Sequence, residues 1–171
     1  MNVEFRRAAA SDARTLTETR RKVWATTYRG IYPDEMIDQY DYARHSARDV
    51  QRISDPENDV FLAWDGEQCV GYFYYGPCGY GTYRDFDLCL NSLYFLPEYR
   101  RMWLGSRVFA QLRQVCRERG LTKFFCGCSC HNLPAQAFYR KMGGIVGEVH
   151  DGHADKAEDI LYFEFYLGEN V

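Results

Sequence analysis

Residues 88–120 constrain this chain most, because they read as a strand that passes through a short, partly basic turn into an amphipathic helix. The strand runs over 88–96 and stops at Pro97. In the helix, Leu104, Val108, Phe109, Leu112, Val115 and Cys116 fall at helical spacing on one face. Gly120 ends it, with Arg117 and Arg119 in the last turn, where cations are favoured. A helix that starts at a strand end exposes unpaired backbone N–H groups and the positive end of its dipole, an arrangement suited to phosphate. Residues 97–123 also carry seven of the 21 Lys and Arg but only two of the 24 Asp and Glu. That is locally +5, so the rest of the chain carries −8 to reach the net −3. Charge alone leaves a solvated basic helix face and an anion site both open.

A second pattern follows the next strand, where Asn132, Ala135, Phe138, Tyr139, Lys141 and Gly143 are set at the spacing N-x-x-A-x-x-F-Y-x-K-x-G. This resembles a segment of the GNAT superfamily of N-acetyltransferases. The turn Pro97, Glu98, Tyr99, Arg100, Arg101, Met102, Trp103, Leu104, Gly105, Ser106 is similar to that family's P-x-Y-R-G-x-G-x-G-S, with Arg101 and Trp103 at two of its glycines. Residues 24–35, from Trp24 to Glu35, look like the first two helices of many members. The resemblance implies one GNAT-like domain over 1–171, α/β in class. Its sheet would be mixed, mostly antiparallel and twisted, with about seven strands and helices on both faces.

Taken in order, residues 3–8 read as a strand, and Ser11 is a plausible N-cap for a helix that places Leu16, Val23, Trp24 and Thr27 on one face. Pro33 opens a short second helix, and 43–53 form a third helical piece. Residues 60–64 and 69–75 make a hairpin around Asp65 and Gly66. A loop of Gly76, Pro77, Cys78, Gly79, Tyr80 and Gly81 leads to the organising strand, which is expected to start near Tyr83. Strands over 124–130, 145–149 and 159–167 complete the set, with a helix opened by Pro134 and a polar loop over 150–158.

Composition sets outer bounds. A chain of 171 residues supports one domain with a substantial core, and 46% hydrophobic with 26% charged residues suits a globular protein. No apolar run approaches the roughly 20 residues of a membrane helix. No signal-peptide pattern opens the chain, so a cytoplasmic location without membrane partners is expected. The seven Cys are expected to be reduced. Cys126, Cys128 and Cys130 with His131 suggest a metal run, but alternation by two puts the sulfurs on one strand face, so no metal is expected. The net −3 argues against nucleic acid.

The resemblance implies acetyl-CoA as co-substrate and a small-molecule or peptide amine as acceptor, attacked directly on the thioester. The backbone from Arg100 through Arg101, Met102, Trp103, Leu104 and Gly105 to Ser106 would cradle the pyrophosphate. Leu93, Tyr94 and Phe95 would lie along the pantetheine arm, with Asn132, Ala135 and Phe138 beside it. Tyr139 would protonate the leaving thiolate, a phenol of pKa about 10 facing a thiolate of about 8.5. Many relatives place a Glu where this chain has Cys89, so Asp87, two residues earlier, is the candidate base. Trp24, Tyr28, Tyr32 and Tyr74, with Tyr72, are candidates for the acceptor site. The missing glycines and Glu also admit a second reading, an acyl-CoA-binding sensor or assembly protein without turnover. Acceptor identity and oligomeric state, including a homodimer, stay open.

Overall fold

The computed structural model describes residues 2–79 and 81–168; Tyr80 of the expected loop lies outside them. Seven strands form one mostly antiparallel sheet in the order β1-β2-β3-β4-β5-β7-β6. They are β1 (Val3–Arg7), β2 (Asp59–Asp65), β3 (Gln68–Gly76), β4 (Cys89–Phe95), β5 (Lys123–Ser129), β6 (Ile145–His150) and β7 (Ile160–Tyr166). The helices are α1 (Ala13–Tyr28), α2 (Asp34–Asp38), α3 (Tyr42–Ser54), α4 (Leu104–Glu118) and α5 (Leu133–Lys141). The expected α/β class with a mixed sheet is what the chain adopts. Among the described residues no helix is long and apolar enough to cross a membrane.

The chain divides into two compact units: one runs to Gly76 and takes in Ser92–Met102, and the other holds Pro77–Asn91 and everything from Trp103 on. In the first unit β1, β2 and β3 pair antiparallel, with a register shift between Ala63 and Trp64. Leu16, Val23, Leu62, Tyr72 and Phe73 are fully enclosed there. Ser11 is not the cap of α1. It lies within a 3-10 turn over Ala10–Asp12, and the Asp12 carboxylate accepts the Ala9 N–H at 2.8 Å. The third helical piece is longer than its expected 43–53, because Asp41 caps it by accepting the Arg44 N–H at 2.9 Å.

This first unit encloses an ionic network. Asp49 on α3 is fully buried; it accepts from Thr17 Oγ1 at 3.0 Å and Arg20 Nη2 at 2.8 Å, and also from Arg52. Arg20 Nη1 donates onward to Tyr72 Oη at 3.0 Å. A buried carboxylate is tolerable only with its lone pairs occupied, and here two guanidinium groups and a hydroxyl occupy them. The nearby Tyr40 hydroxyl is buried without a hydrogen-bond partner among the described residues.

In the second unit β5 pairs antiparallel with β7, and β7 with β6, whose register shifts between Val146 and Val149. β4 meets β5 in parallel at Cys89 and Phe125, and the Phe125 N–H donates to the Leu88 carbonyl at 3.1 Å. β4 does not reach back to Tyr83. That ring stacks on Phe125 and Tyr162, both at 4.6 Å, and its hydroxyl donates to Glu164 at 2.7 Å, so the local chain is held by side chains rather than by a ladder. Phe109 on α4 packs against Phe124, Phe138 and Phe165 at 4.9–5.7 Å and fixes the helices on this unit's strands.

Asp49→Ala strands Arg20 in the interior, and should cost about 3–5 kcal/mol in urea denaturation. Tyr40→Phe removes a buried hydroxyl that has no partner, and should be neutral or stabilise by about 1 kcal/mol in the same measurement.

Candidate active site

Two of the turn residues at family glycine positions adopt backbone angles that glycine favours. Arg101 has φ 62° and Trp103 φ 61°, both left-handed. For a residue with a Cβ that conformation costs roughly 1–2 kcal/mol. Trp103 is the N-cap residue of α4; the Arg107 N–H donates to its carbonyl at 3.0 Å, and no side chain caps the helix. The first-turn amides, including those of Leu104, Gly105 and Ser106, therefore lack intrahelical partners. The Trp103 indole is 71% exposed and lies 5.3 Å from the Lys141 ammonium, so it does not fill a cavity of its own unit. Gly105 lets α5 come close: a Cβ there would sit 2.6 Å from the Phe138 ring.

The first unit gathers the candidate acceptor aromatics around one residue of the organising strand. Trp24 and Tyr28 on α1 are 4.8 Å apart, Tyr28 stacks on Tyr32 at 4.7 Å, and the Tyr28 and Tyr94 hydroxyls are hydrogen-bonded at 2.7 Å. Tyr94 in turn stacks on Tyr72 at 5.5 Å, which ties this cluster to the Arg20 network. Tyr74 stands apart from these contacts, under Arg52 at 4.6 Å. Leu93 is partly buried, and Phe95 is buried against Phe5. Arg100 donates to the Phe95 carbonyl at 3.3 Å and the Thr27 hydroxyl at 3.1 Å, so its guanidinium is already engaged. Met102 is partly buried, while Arg101 is exposed.

In the second unit Asn132 caps α5, its Oδ1 accepting the Ala135 N–H at 3.2 Å. Phe138 is half-buried and edge-on to Phe109 at 5.6 Å. Tyr139 is buried among Phe109, Phe163 and Phe165, within hydrogen-bond reach of the Cys126 thiol. Of the three sulfurs expected to alternate along one strand face, Cys126 and Cys128 lie in β5, whereas Cys130 lies past its end at Ser129 and is only partly buried. Cys126 and Cys128 are buried on either side of an exposed Gly127, and burial pushes the Cys128 thiol up to about 12. Asp87 is exposed and precedes β4, which begins two residues later, so it occupies no strand face. Cys89 is buried with Tyr83 and Phe125, and its thiol is raised by the neighbouring Cys78 and by burial.

Residues 18–144 match the model of the acetyltransferase (GNAT) family. The chain belongs to this family. As a GNAT member it is an acetyl-CoA-dependent N-acetyltransferase. A curated relative is the spermidine N(1)-acetyltransferase of Thermoplasma acidophilum, 23% identical over 84% of this chain and 88% of its own. The crystal structure of the PaiA N-acetyltransferase of T. acidophilum in complex with coenzyme A superposes with a TM-score of 0.72. It is 22% identical and covers 97% of this chain and 99% of its own. An acetyltransferase of Thermus thermophilus gives 0.71 at 18% identity, covering 98% of both chains.

Sequence reasoning missed three polar assemblies in this acetyltransferase. One is the Asp49 network. A charged Arg20 on the apolar stripe of α1 was its only signal, and it did not identify the partner. Another is Glu164, buried on β7, which accepts from Tyr83, from Tyr166 at 2.7 Å and from Arg84 at 2.6 Å. The third is Asp159, ahead of β7, which takes His131 Nε2 on one oxygen and His153 Nδ1 on the other, both at 2.9 Å. The His153 backbone N–H adds a bond at 3.0 Å. That backbone bond and the two imidazoles hold the Asp159 carboxyl at about 2.

Since the Asp159 pKa is depressed on folding, its stabilisation is complete above about pH 4 and is lost as pH falls toward 2. Urea midpoints should therefore drop across that window in the native protein and drop less in Asp159→Asn. Trp103→Gly should relieve the left-handed N-cap and raise stability by about 1 kcal/mol in thermal or urea melts.

Proposed function

We propose that this acetyltransferase moves the acetyl group of acetyl-CoA onto a primary amine by direct attack on the thioester, with no covalent enzyme intermediate. The observation that carries the reading is the turn ahead of α4. Arg101 and Trp103 hold left-handed angles in spite of their side chains, and no side chain caps the helix they precede. Such a turn keeps the geometry suited to a diphosphate although the glycines are gone.

In this reading the amides of Leu104, Gly105 and Ser106 bind the pyrophosphate. Arg101 adds charge, because Arg100 is engaged by Phe95 and Thr27. The main chain of Leu93, Tyr94 and Phe95 pairs with the pantetheine arm in the manner of an added strand. Preorganised N–H groups there polarise the thioester carbonyl as negative charge grows on its oxygen. Tyr139 gives its proton to the departing sulfur. Its hydroxyl is a donor that can pass its proton on as charge grows on sulfur.

Trp24, partly exposed over the buried and mutually stacked Tyr28 and Tyr32, offers the acceptor a small aromatic surface to which an ammonium is attracted. A small polyamine-like amine is the acceptor class favoured, supported by the spermidine N(1)-acetyltransferase relative and by this surface.

A thermal-shift series with coenzyme A and acetyl-CoA, followed by thiol release with a panel of amines, tests the proposal. Stabilisation by both ligands and turnover with a polyamine are expected. Stabilisation without turnover on any amine would instead support an acyl-CoA-binding protein. Tyr139→Phe should lower kcat by roughly 10²-fold with little change in the KM for acetyl-CoA, as loss of a general acid does.

A further inference from the structure

The exposed Asp87 leaves the deprotonation of the acceptor without a well-placed base, yet the second unit contains an imidazole arranged for that task. His131 follows the end of β5, the strand that pairs in parallel with β4, and immediately precedes Asn132. In α/β sheets, ligands gather outside the carboxyl ends of parallel strands. The His131 Nε2 lies 2.9 Å from Asp159 Oδ2. Asp159 is 4% exposed, and its carboxylate acts only as an acceptor when ionised. In the neutral ring Nε2 must therefore carry the hydrogen, which leaves the lone pair on Nδ1. Among the described residues Nδ1 has no hydrogen-bond partner, and the side chain is 35% exposed, so a solute can reach the ring. The His131 N–H donates to Ser129 Oγ at 3.2 Å, which fixes the main chain at the base of the side chain.

The second oxygen of Asp159 is held from the 151–158 loop by His153, through both its Nδ1 and its backbone N–H. The carboxylate is thus held from two sides, and the loop closes on it. Other ionisable groups of this region are Cys130 beside Asp151 and Asp159, Arg140 on α5, and His150 paired with Glu148 at 3.3 Å on β6. Gln136 on α5 contributes a neutral amide, donating to the Cys130 carbonyl at 2.8 Å.

We propose that His131, held in its Nε2–H form by Asp159, is the general base that takes a proton from the acceptor ammonium. The proposal rests on the acetyl-transfer reading and supplies the base that reading lacks. The ammonium yields one proton to Nδ1. The free amine then attacks the thioester carbon, and a C–N bond forms as the C–S bond breaks. The sulfur leaves as thiolate and takes the Tyr139 proton; the second proton shed by nitrogen restores Tyr139, and the first passes from His131 to water. Asp159 is a positioning residue, and His153 holds it from the loop side.

The test uses the full chain with acetyl-CoA and spermidine. His131→Gln should lower kcat/KM by roughly 10²–10³-fold, the range of a single acid–base group, while the thermal shift with coenzyme A is unchanged. The wild-type pH profile should show an acidic limb from an ionisation separate from that of the amine, and His131→Gln should lack it. In His131→Gly, added imidazole should restore part of the rate. Asp159→Asn should lower kcat without raising the KM for acetyl-CoA. Nitrogen-15 NMR of labelled histidine reads the tautomer independently of turnover: Nε2–H is expected for His131, and a mixture in Asp159→Asn. A His131→Gln enzyme with full activity and an intact limb, or an Nδ1–H ring in the wild type, would overturn the proposal while leaving acetyl transfer standing. Absence of turnover on every amine would overturn both.

Discussion

The start of α4 is the constraint on which the rest depends. A helix that begins directly after a strand needs a sharp change of backbone direction, and here left-handed angles at Arg101 and Trp103 contribute to it. Glycine would adopt those angles without a steric cost. This chain instead uses two of its larger residues, and the surrounding contacts keep them in place. Tyr99 donates to Asp65 at 3.0 Å, Arg100 is bound to Phe95 and Thr27, and Gly105 fits closely under Phe138. The stored strain is a cost that persists where the neighbours over-determine the conformation, and such positions tend to be functional.

Much of the fold was legible because its signals are local. The 3.6-residue period of Leu104, Val108, Phe109 and Leu112 identified α4, and Asn132 with Pro134 located the start of α5. The alternation of Cys126 and Cys128 around Gly127 was also visible, and Cys130 departs from it because the strand ends at Ser129. Boundaries were lost where long-range contacts override local preference. Tyr83 has strand-like character, but its ring and hydroxyl are claimed by Phe125, Tyr162 and Glu164, which are close only after folding. Ser11 is a good cap by type, yet it lies inside a 3-10 turn over Ala10–Asp12, and α1 begins only after Asp12.

The candidate site was legible in part for the same reason. Motif spacing pointed to the turn and to Tyr139, and the family resemblance gave Trp24, Tyr28, Tyr32, Tyr72 and Tyr74 as a group, from which Tyr74 stands apart under Arg52. It had no means of showing that the Tyr28 and Tyr94 hydroxyls meet, since 66 residues separate them. Nor does the sequence join His131 to Asp159 across 28 residues. Polar pairs of this kind carry no periodicity, whereas apolar faces do.

The sulfur chemistry of the second unit has an experimental consequence. Cys89, Cys116, Cys126 and Cys128 are all buried there as free thiols, and their ionisation is suppressed. An alkylating reagent attacks thiolate, so these four positions react only when the chain around them opens. Mass-resolved alkylation would then time the breathing of that half of the molecule, strand by strand, with no added probe.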